Sequence, residues 1–296
     1  MKTQFECIPC ILRQTIETVR LATPDRRLQK EAIDRILLYL THIDYDVPPP
    51  ALGREVYGII HEVTGNYDPY RELKQKFNAL GLAHYDELLR IVFKSPDPVM
   101  MAAKLAVIGN IIDFGAQARE QINLKESIQN IAKTDFEIND FEKFIADLKR
   151  ARRVLYIADN AGEIVFDRLF IEILQRYYPE VGLQFTVAVR GAPIINDATV
   201  EDARIVGLDK IATVLENGDN APATLLDRVS PQMRKAFKEA DLIIAKGMGN
   251  YETLDERREL IYYLLKVKCV LVSQAIGAPV GALVFKRNDR YVTNNR

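Results

Sequence analysis

Five short apolar runs rich in β-branched residues limit what the second half of this 296-residue chain can become: VLYIA (154–158), FTVAVR (185–190), IATVLE (211–216), LIIAK (242–246) and CVLVS (269–273). Strands that are apolar on both faces need cover on both faces, and a parallel sheet clad in helices supplies it. The intervening sequence agrees. GEIVFDRLFIEILQRYY, between the first two runs, sets Val165, Leu169, Ile173 and Tyr177 on one helical stripe. The expectation is an α/β fold, an α/β/α sandwich around a mostly parallel sheet, over residues 151–296.

The first 150 residues read as a separate helical domain forming one wall of a cleft. LQKEAIDRILLYL places Leu28, Ala32, Ile36 and Leu40 at helical spacing, with charged residues between them. The prolines at 48–50 stop that segment. Further helices are expected at about 51–63, 70–80, 84–92 and 98–110, separated by turn-rich pieces such as TGNYDP and KSPDP.

Charge narrows the function classes. Lys+Arg number 40 and Asp+Glu 41, a net charge of −1, which gives no support to a nucleic-acid surface. The local cluster Lys149, Arg150, Arg152 and Arg153 reads as a solvated helix end before a strand. The N-terminus lacks the apolar core of a signal peptide, and no apolar run reaches membrane-spanning length. Three cysteines, Cys7, Cys10 and Cys269, make no disulfide framework. The expectation is a cytoplasmic protein with neither nucleic-acid nor membrane partners; an oligomer is left open.

In open α/β sheets, ligands bind beyond the carboxyl ends of the strands. The residues there are Asp159-Asn160-Ala161-Gly162-Glu163, Arg190-Gly191, Asn217-Gly218-Asp219-Asn220 and Lys246-Gly247-Met248-Gly249-Asn250. In DNAGE, a carboxylate and an amide oxygen could meet a metal while helix N–H groups face an anion. Asp or Asn before a helix is also an ordinary N-cap. RGAPIINDATVEDA adds Asn196 and Asp197 as further oxygen donors, and Arg190 as a phosphate partner or a solvent-facing arginine. KGMGNYETL offers Lys246 with glycines, Gly247 and Gly249, that admit a ligand near the backbone beside Asn250; a glycine turn with a snorkelling lysine is the plainer reading. In IGNIIDFG, Asn110 and Asp113 stand three apart on one helix face, pointing into the cleft or tying the halves together. Cys7-Ile8-Pro9-Cys10 has no second CxxC, and His42, His61 and His84 show no ligand spacing, so it reads as a packed N-terminal turn, with a redox or metal role open. The metal-facing donors Asp159, Asn160 and Asp197 are all oxygens, which suits magnesium or manganese; beside cations over a helix N-terminus they are equipment for a phosphate ester.

Taken in order, CIPC, GNIIDFG, DNAGE, PIINDAT, KGMGNYETL and the Lys268–Val270 stretch resemble the damage-control phosphatases, also known as domain-of-unknown-function family eighty-nine, and most closely a short subfamily with an N-terminal CxxC. The resemblance spans nearly the whole chain. It implies a helical part on an α/β/α domain and one divalent cation, magnesium or manganese with cobalt or nickel as alternatives. It places metal ligands at Asp159, Asn160 and Asp197, a phosphate contact at Lys246, and cleft-lining positions at Asn110 and Asp113. It implies hydrolysis of sugar phosphates, phosphopantetheine-like compounds or damaged phosphometabolites. The Arg-Thr-x-Lys motif of the sugar-phosphate subfamily is absent.

The expected chemistry is therefore phosphomonoester hydrolysis. Lys246 and main-chain N–H groups near Gly162 and Gly247 hold phosphoryl oxygens, and Glu163 serves as general acid or base. Either a water or Asp159 is the nucleophile. A nucleotide-cofactor-dependent transferase and a non-catalytic metabolite- or metal-binding module are the competing classes, since fold does not fix chemistry.

Overall fold

The computed structural model describes residues 1–109 and 134–291, so Asn110 and Asp113 lie outside the described residues. Helices α1 (Cys7–Ala22), α2 (Arg26–Leu40), α3 (Pro49–Thr64), α4 (Arg71–Ala83), α5 (Tyr85–Lys94) and α6 (Pro98–Ile108) come first. Then follow β1 (Phe136–Asn139), α7 (Phe141–Leu148), β2 (Arg153–Ile157), α8 (Glu163–Tyr177), β3 (Gln184–Val189), α9 (Val200–Ile205) and β4 (Thr213–Glu216). The chain continues through α10 (Pro231–Glu239), β5 (Leu242–Lys246), α11 (Gly247–Leu254), β6 (Ile261–Lys266), α12 (Val270–Ile276) and β7 (Leu283–Arg287).

Local chemistry sets several of these boundaries. Pro49 and Pro50 open α3 instead of merely closing α2, which has already ended at Leu40; a proline costs little in a first turn, where its missing N–H would be unbonded anyway. Asp97 caps α6 by accepting the Met100 N–H at 2.9 Å, and Ser230 does the same for Met233 at 3.1 Å in α10. Thr199 and Asp202 form a reciprocal capping box on α9.

The seven strands run β1-β7-β6-β5-β2-β3-β4 across the sheet. All pair in parallel except β6 with β7. Side chains of β2 alternate between layers, as strand geometry requires. Val154 and Tyr156 face the layer holding α6, α7 and α8, while Leu155 and Ile157 face that holding α10, α11 and α12. This is the expected α/β/α sandwich. A third cluster, built from Ile11, Val19, Ala32, Ile36, Val56 and Ile60, holds α1, α2 and α3 together as a helical cap.

Two features depart from the sequence reading. The sheet begins at Phe136, ahead of residue 150, and α5 and α6 pack into the sheet's own core. The CVLVS run is not a strand. Cys269 Sγ accepts the Val272 N–H at 3.4 Å and starts α12, which Gly277 ends in the left-handed region at φ +80°. The buried strand is instead IYYLLK, whose first five residues are all buried, whereas Val270 is 58% exposed. Burial on both faces, not β-branching alone, decides which apolar run joins the sheet.

Phe144 sits fully buried at the centre of an aromatic cluster, with ring centroids 5.1 Å from Phe285, 5.2 Å from Tyr262 and 6.1 Å from Phe170. Phe144→Ala is expected to lower stability by about 3–5 kcal/mol, read from urea denaturation midpoints; a loss below about 1 kcal/mol would show that the cluster closes over the cavity.

Candidate active site

The strand order places the site. From β2 the chain moves outward to β3 and β4, then returns to the other side of β2 with β5, so the order reverses between β2 and β5. A crevice opens beyond the carboxyl ends of adjacent strands at such a point. Asp159 follows β2 there, and Gly247 follows β5. A Cβ on Gly247 would stand 2.1 Å from Asp159 Oδ2, and the backbone at Gly247 is in the left-handed region at φ +78°. Only glycine lets the carboxylate lie against this turn.

The two oxygen-rich loops are joined through their backbones. Asn160 and Asp197 form an isolated antiparallel bridge. The Ala198 N–H donates to the Asp159 carbonyl at 2.8 Å, and the Ala161 N–H to the Asn196 carbonyl at 2.8 Å. Asp159, Asn160 and Asp197 are thereby brought together, with Asn196 half-buried beside them and acting here through its main chain.

The cations that surround this group differ from expectation. Lys246 is not a phosphate clamp: it has no exposed surface, and its ammonium donates to Glu163 Oε1 at 2.5 Å, Asp167 Oδ1 at 2.6 Å and the Ala106 carbonyl at 2.7 Å. Burial disfavours the ammonium, but Asp167 and Glu163 outweigh it and hold Lys246 above the ordinary lysine value. Two carboxylates share this one charge; burial pushes Asp167 up to about 6, with Tyr156 donating to it at 2.6 Å. Arg190 is likewise no solvent-facing phosphate partner. It is 2% exposed, its Nε donates to Asp197 Oδ2 at 2.5 Å, and its Nη2 stands 3.8 Å from Asp159 Oδ1 with no hydrogen-bond partner among the described residues.

Glu163 is engaged on both oxygens, by Lys246 and by Asn160 Nδ2 at 3.2 Å. It orients Asn160 and is not placed as a free general acid or base. Asn160 Nδ2 also donates to Asp159 Oδ2 at 2.9 Å, and among the described residues no donor is bonded to its carbonyl oxygen. The Gly162 N–H, expected to face an anion, donates instead to Asn78 Oδ1 at 2.7 Å. Gly249 answers to packing, since a Cβ there would lie 2.6 Å from the Pro222 carbonyl oxygen. Asn250 is buried and donates to the Lys246 carbonyl at 2.7 Å.

Sequence reasoning missed Asp167 and Asn78, and quoted Lys268 within a motif without giving it a role. Asp167 carried a readable signal: an acid one turn after Glu163, on a helix face otherwise made of Ile164, Phe166 and Phe170. Nothing marked Asn78. Lys268 is exposed just past β6, and its charge, after that of Arg190, favours ionised Asp159.

Carboxylate crowding tests whether a cation fits. Burial first, then Asp197 and Glu163, push Asp159 well above the usual carboxylate range, against the pull of Arg190 and Lys268. Burial also raises Asp197, although Arg190 opposes it. Among the described residues no cluster of three His, Cys, Asp or Glu side chains is arranged around a metal position. The set here is two carboxylates and an amide, hard oxygen donors with surplus negative charge, and it fits a hard divalent ion.

The chain is similar to known proteins over nearly its whole length. The damage-control phosphatase ARMT1-like domain matches residues 3–284. The chain is 36% identical over 290 residues to the damage-control phosphatase PH1575 of Pyrococcus horikoshii, covering 97% of this chain and 99% of that protein. It is 36% identical over 291 residues to a damage-control phosphatase of Archaeoglobus fulgidus, again covering 97% and 99%. The crystal structure of the Pyrococcus horikoshii protein superposes with a TM-score of 0.90 at 35% identity, covering 98% of this chain and 100% of that one. Sequence and fold agree over almost the whole length, and the chain belongs to the damage-control phosphatase ARMT1-like family.

Proposed function

We propose that this phosphatase hydrolyses phosphomonoesters of small metabolites, sugar phosphates or damaged phosphometabolites among them, in the crevice over β2 and β5. Asp159, Asn160 and Asp197 would hold a divalent cation, magnesium or manganese, there. The observation that carries this reading is the backbone joining of the two oxygen-rich loops at the sheet's reversal point, which gathers surplus carboxylate charge beside Gly247. When bound, such an ion neutralises charge growing on the phosphoryl oxygens and acidifies a water.

The chain's own residues supply the rest. Arg190 holds Asp197 and balances part of the charge on Asp159. Glu163, itself fixed by Lys246, holds the Asn160 amide nitrogen and so turns its carbonyl oxygen away from the Glu163 carboxylate. We assign to Lys268 the phosphate-binding role first expected of Lys246: it is exposed, and its backbone N–H rests on Met248 Sδ at 3.1 Å, next to the Gly247 turn that lies against Asp159. The substrate's phosphate thus meets a cation already within electrostatic reach of the ligand carboxylate.

The branch with an N-terminal CxxC is the best placement within the family: Cys7 and Cys10 share the first turn of α1 as free thiols, both pushed up by burial. A cytoplasmic setting agrees with three free cysteines, and no helix among the described residues is long and apolar enough to cross a membrane.

Phosphate release from an aryl phosphate and a panel of phosphometabolites, run with magnesium, with manganese and with chelator, tests the reading. Release is expected to need metal and to fall by more than about a hundredfold in Asp159→Ala. Chelator-insensitive release, or wild-type rates in that variant, would sink it. The two lysines should separate cleanly. Lys268→Ala should raise KM about tenfold, the loss of one charge-assisted contact, with Tm unchanged. Lys246→Met strands Glu163 and Asp167 without their cation and should cost about 3–5 kcal/mol of stability. A Lys246→Met protein as stable as wild type would return that lysine to the substrate.

A further inference from the structure

Asn78 lies on α4, which packs against α8, and is fully buried. Its side-chain amide makes two bonds in opposite directions. Oδ1 accepts the Gly162 N–H at 2.7 Å, three residues past Asp159. Nδ2 donates to Asp202 Oδ1 at 2.7 Å. The other oxygen of Asp202 accepts the Thr199 N–H at 2.9 Å and the Thr199 hydroxyl at 2.7 Å, two residues past Asp197. One amide therefore spans from the loop of Asp159 and Asn160 to the loop of Asp197.

The surroundings make the span stiff. Lys74, one turn earlier on α4 and also buried, stands 3.0 Å from Asp68 and 3.8 Å from Asp202, and balances the charge that Asn78 leans on. Phe77 presses on the same loop: a Cβ on Gly162 would meet Phe77 Cβ at 2.8 Å. A buried N–H and a buried carboxylate oxygen, each with its partner in this one side chain, leave little freedom to slide.

We infer that Asn78 is a positioning residue for the cation site: from outside the sheet, it sets the spacing between the two loops that carry the ligands. Its own bonds go to Gly162 and Asp202, not to the side chains of Asp159, Asn160 or Asp197. The inference rests on the ligand assignment made under the proposed function, and outer partners of this kind commonly govern metal affinity by about 10–100-fold.

The test uses the full chain after chelator treatment, with two readouts that need no turnover: protection of the Gly162 amide from hydrogen exchange, and the rise in Tm on adding manganese. Asn78→Ala should expose the Gly162 amide to exchange and weaken manganese binding by about tenfold or more, with KM for substrate at saturating metal unchanged. Asn78→Asp alone sets two carboxylates face to face, and Asp202→Asn alone sets two amide donors face to face. The double variant N78D/D202N restores every bond with the donor and acceptor exchanged. The amide then carried at position 202 donates to the carboxylate at position 78, while its oxygen still accepts from Thr199. Manganese affinity in the double variant should return to within about threefold of wild type, beyond the better of the two single variants. Wild-type exchange and affinity in Asn78→Ala would overturn the inference, and so would a double variant that recovers nothing, whether through weak binding or failure to fold. If Asn78→Ala itself does not fold, the single and double exchange variants decide. Asp159→Ala separates the two claims: if it still binds manganese with wild-type affinity, the ligand assignment fails, whereas if it does not bind while Asn78→Ala binds normally, only the role of Asn78 fails.

Discussion

A single ammonium with no exposed surface holds this architecture at its centre. Lys246 ends β5, donates to the Ala106 carbonyl near the end of α6, and binds Glu163 and Asp167 on consecutive turns of α8. Strand, crossover helix and neighbouring helix are thus joined at one charge. Removing two carboxylates from water is costly, and their mutual repulsion adds to it. The lysine offsets both, and Tyr156 adds a bond to Asp167. The benefit reaches the crevice through Glu163, whose second oxygen turns Asn160 beside Asp159. Chemistry at the surface of the sheet depends on electrostatics settled beneath it.

The layers and the two oxygen-rich loops were legible because both are local in sequence. All-apolar β-branched runs announce buried strands, and carboxylates and amides clustered after them mark the crevice end of the sheet. DNAGE and PIINDAT could each be read alone. Their bridge could not, because Asn160 and Asp197 meet only after β2 and β3 have paired.

The misplaced residues share a physical reason. A lysine at a strand end beside glycine looks the same whether its ammonium points to solvent or into the core. What decides it is an acid pair on a helix elsewhere in the chain. Arg190 was ambiguous in the same way, and Asp197 draws it inward. CVLVS has strand composition, yet a capping sulfur on its first residue and a left-handed glycine beyond it make a helix. Asn78 sits among residues of ordinary helical character, and its importance exists only in the docked structure.

The antiparallel strand has a consequence for how the molecule comes into being. β7 fits between β6 and β1, so Phe136 gains its sheet neighbour, Leu283, only from a strand far downstream. During synthesis the β6-β5-β2-β3-β4 portion can close early, while β1 waits unpaired until β7 has emerged. Such distant pairing slows assembly and leaves a strand edge open to misdirected contacts in the interval. The end of the sheet beside β1 is thus the last to be completed, and the crevice over β2 and β5 belongs to the part that can form first.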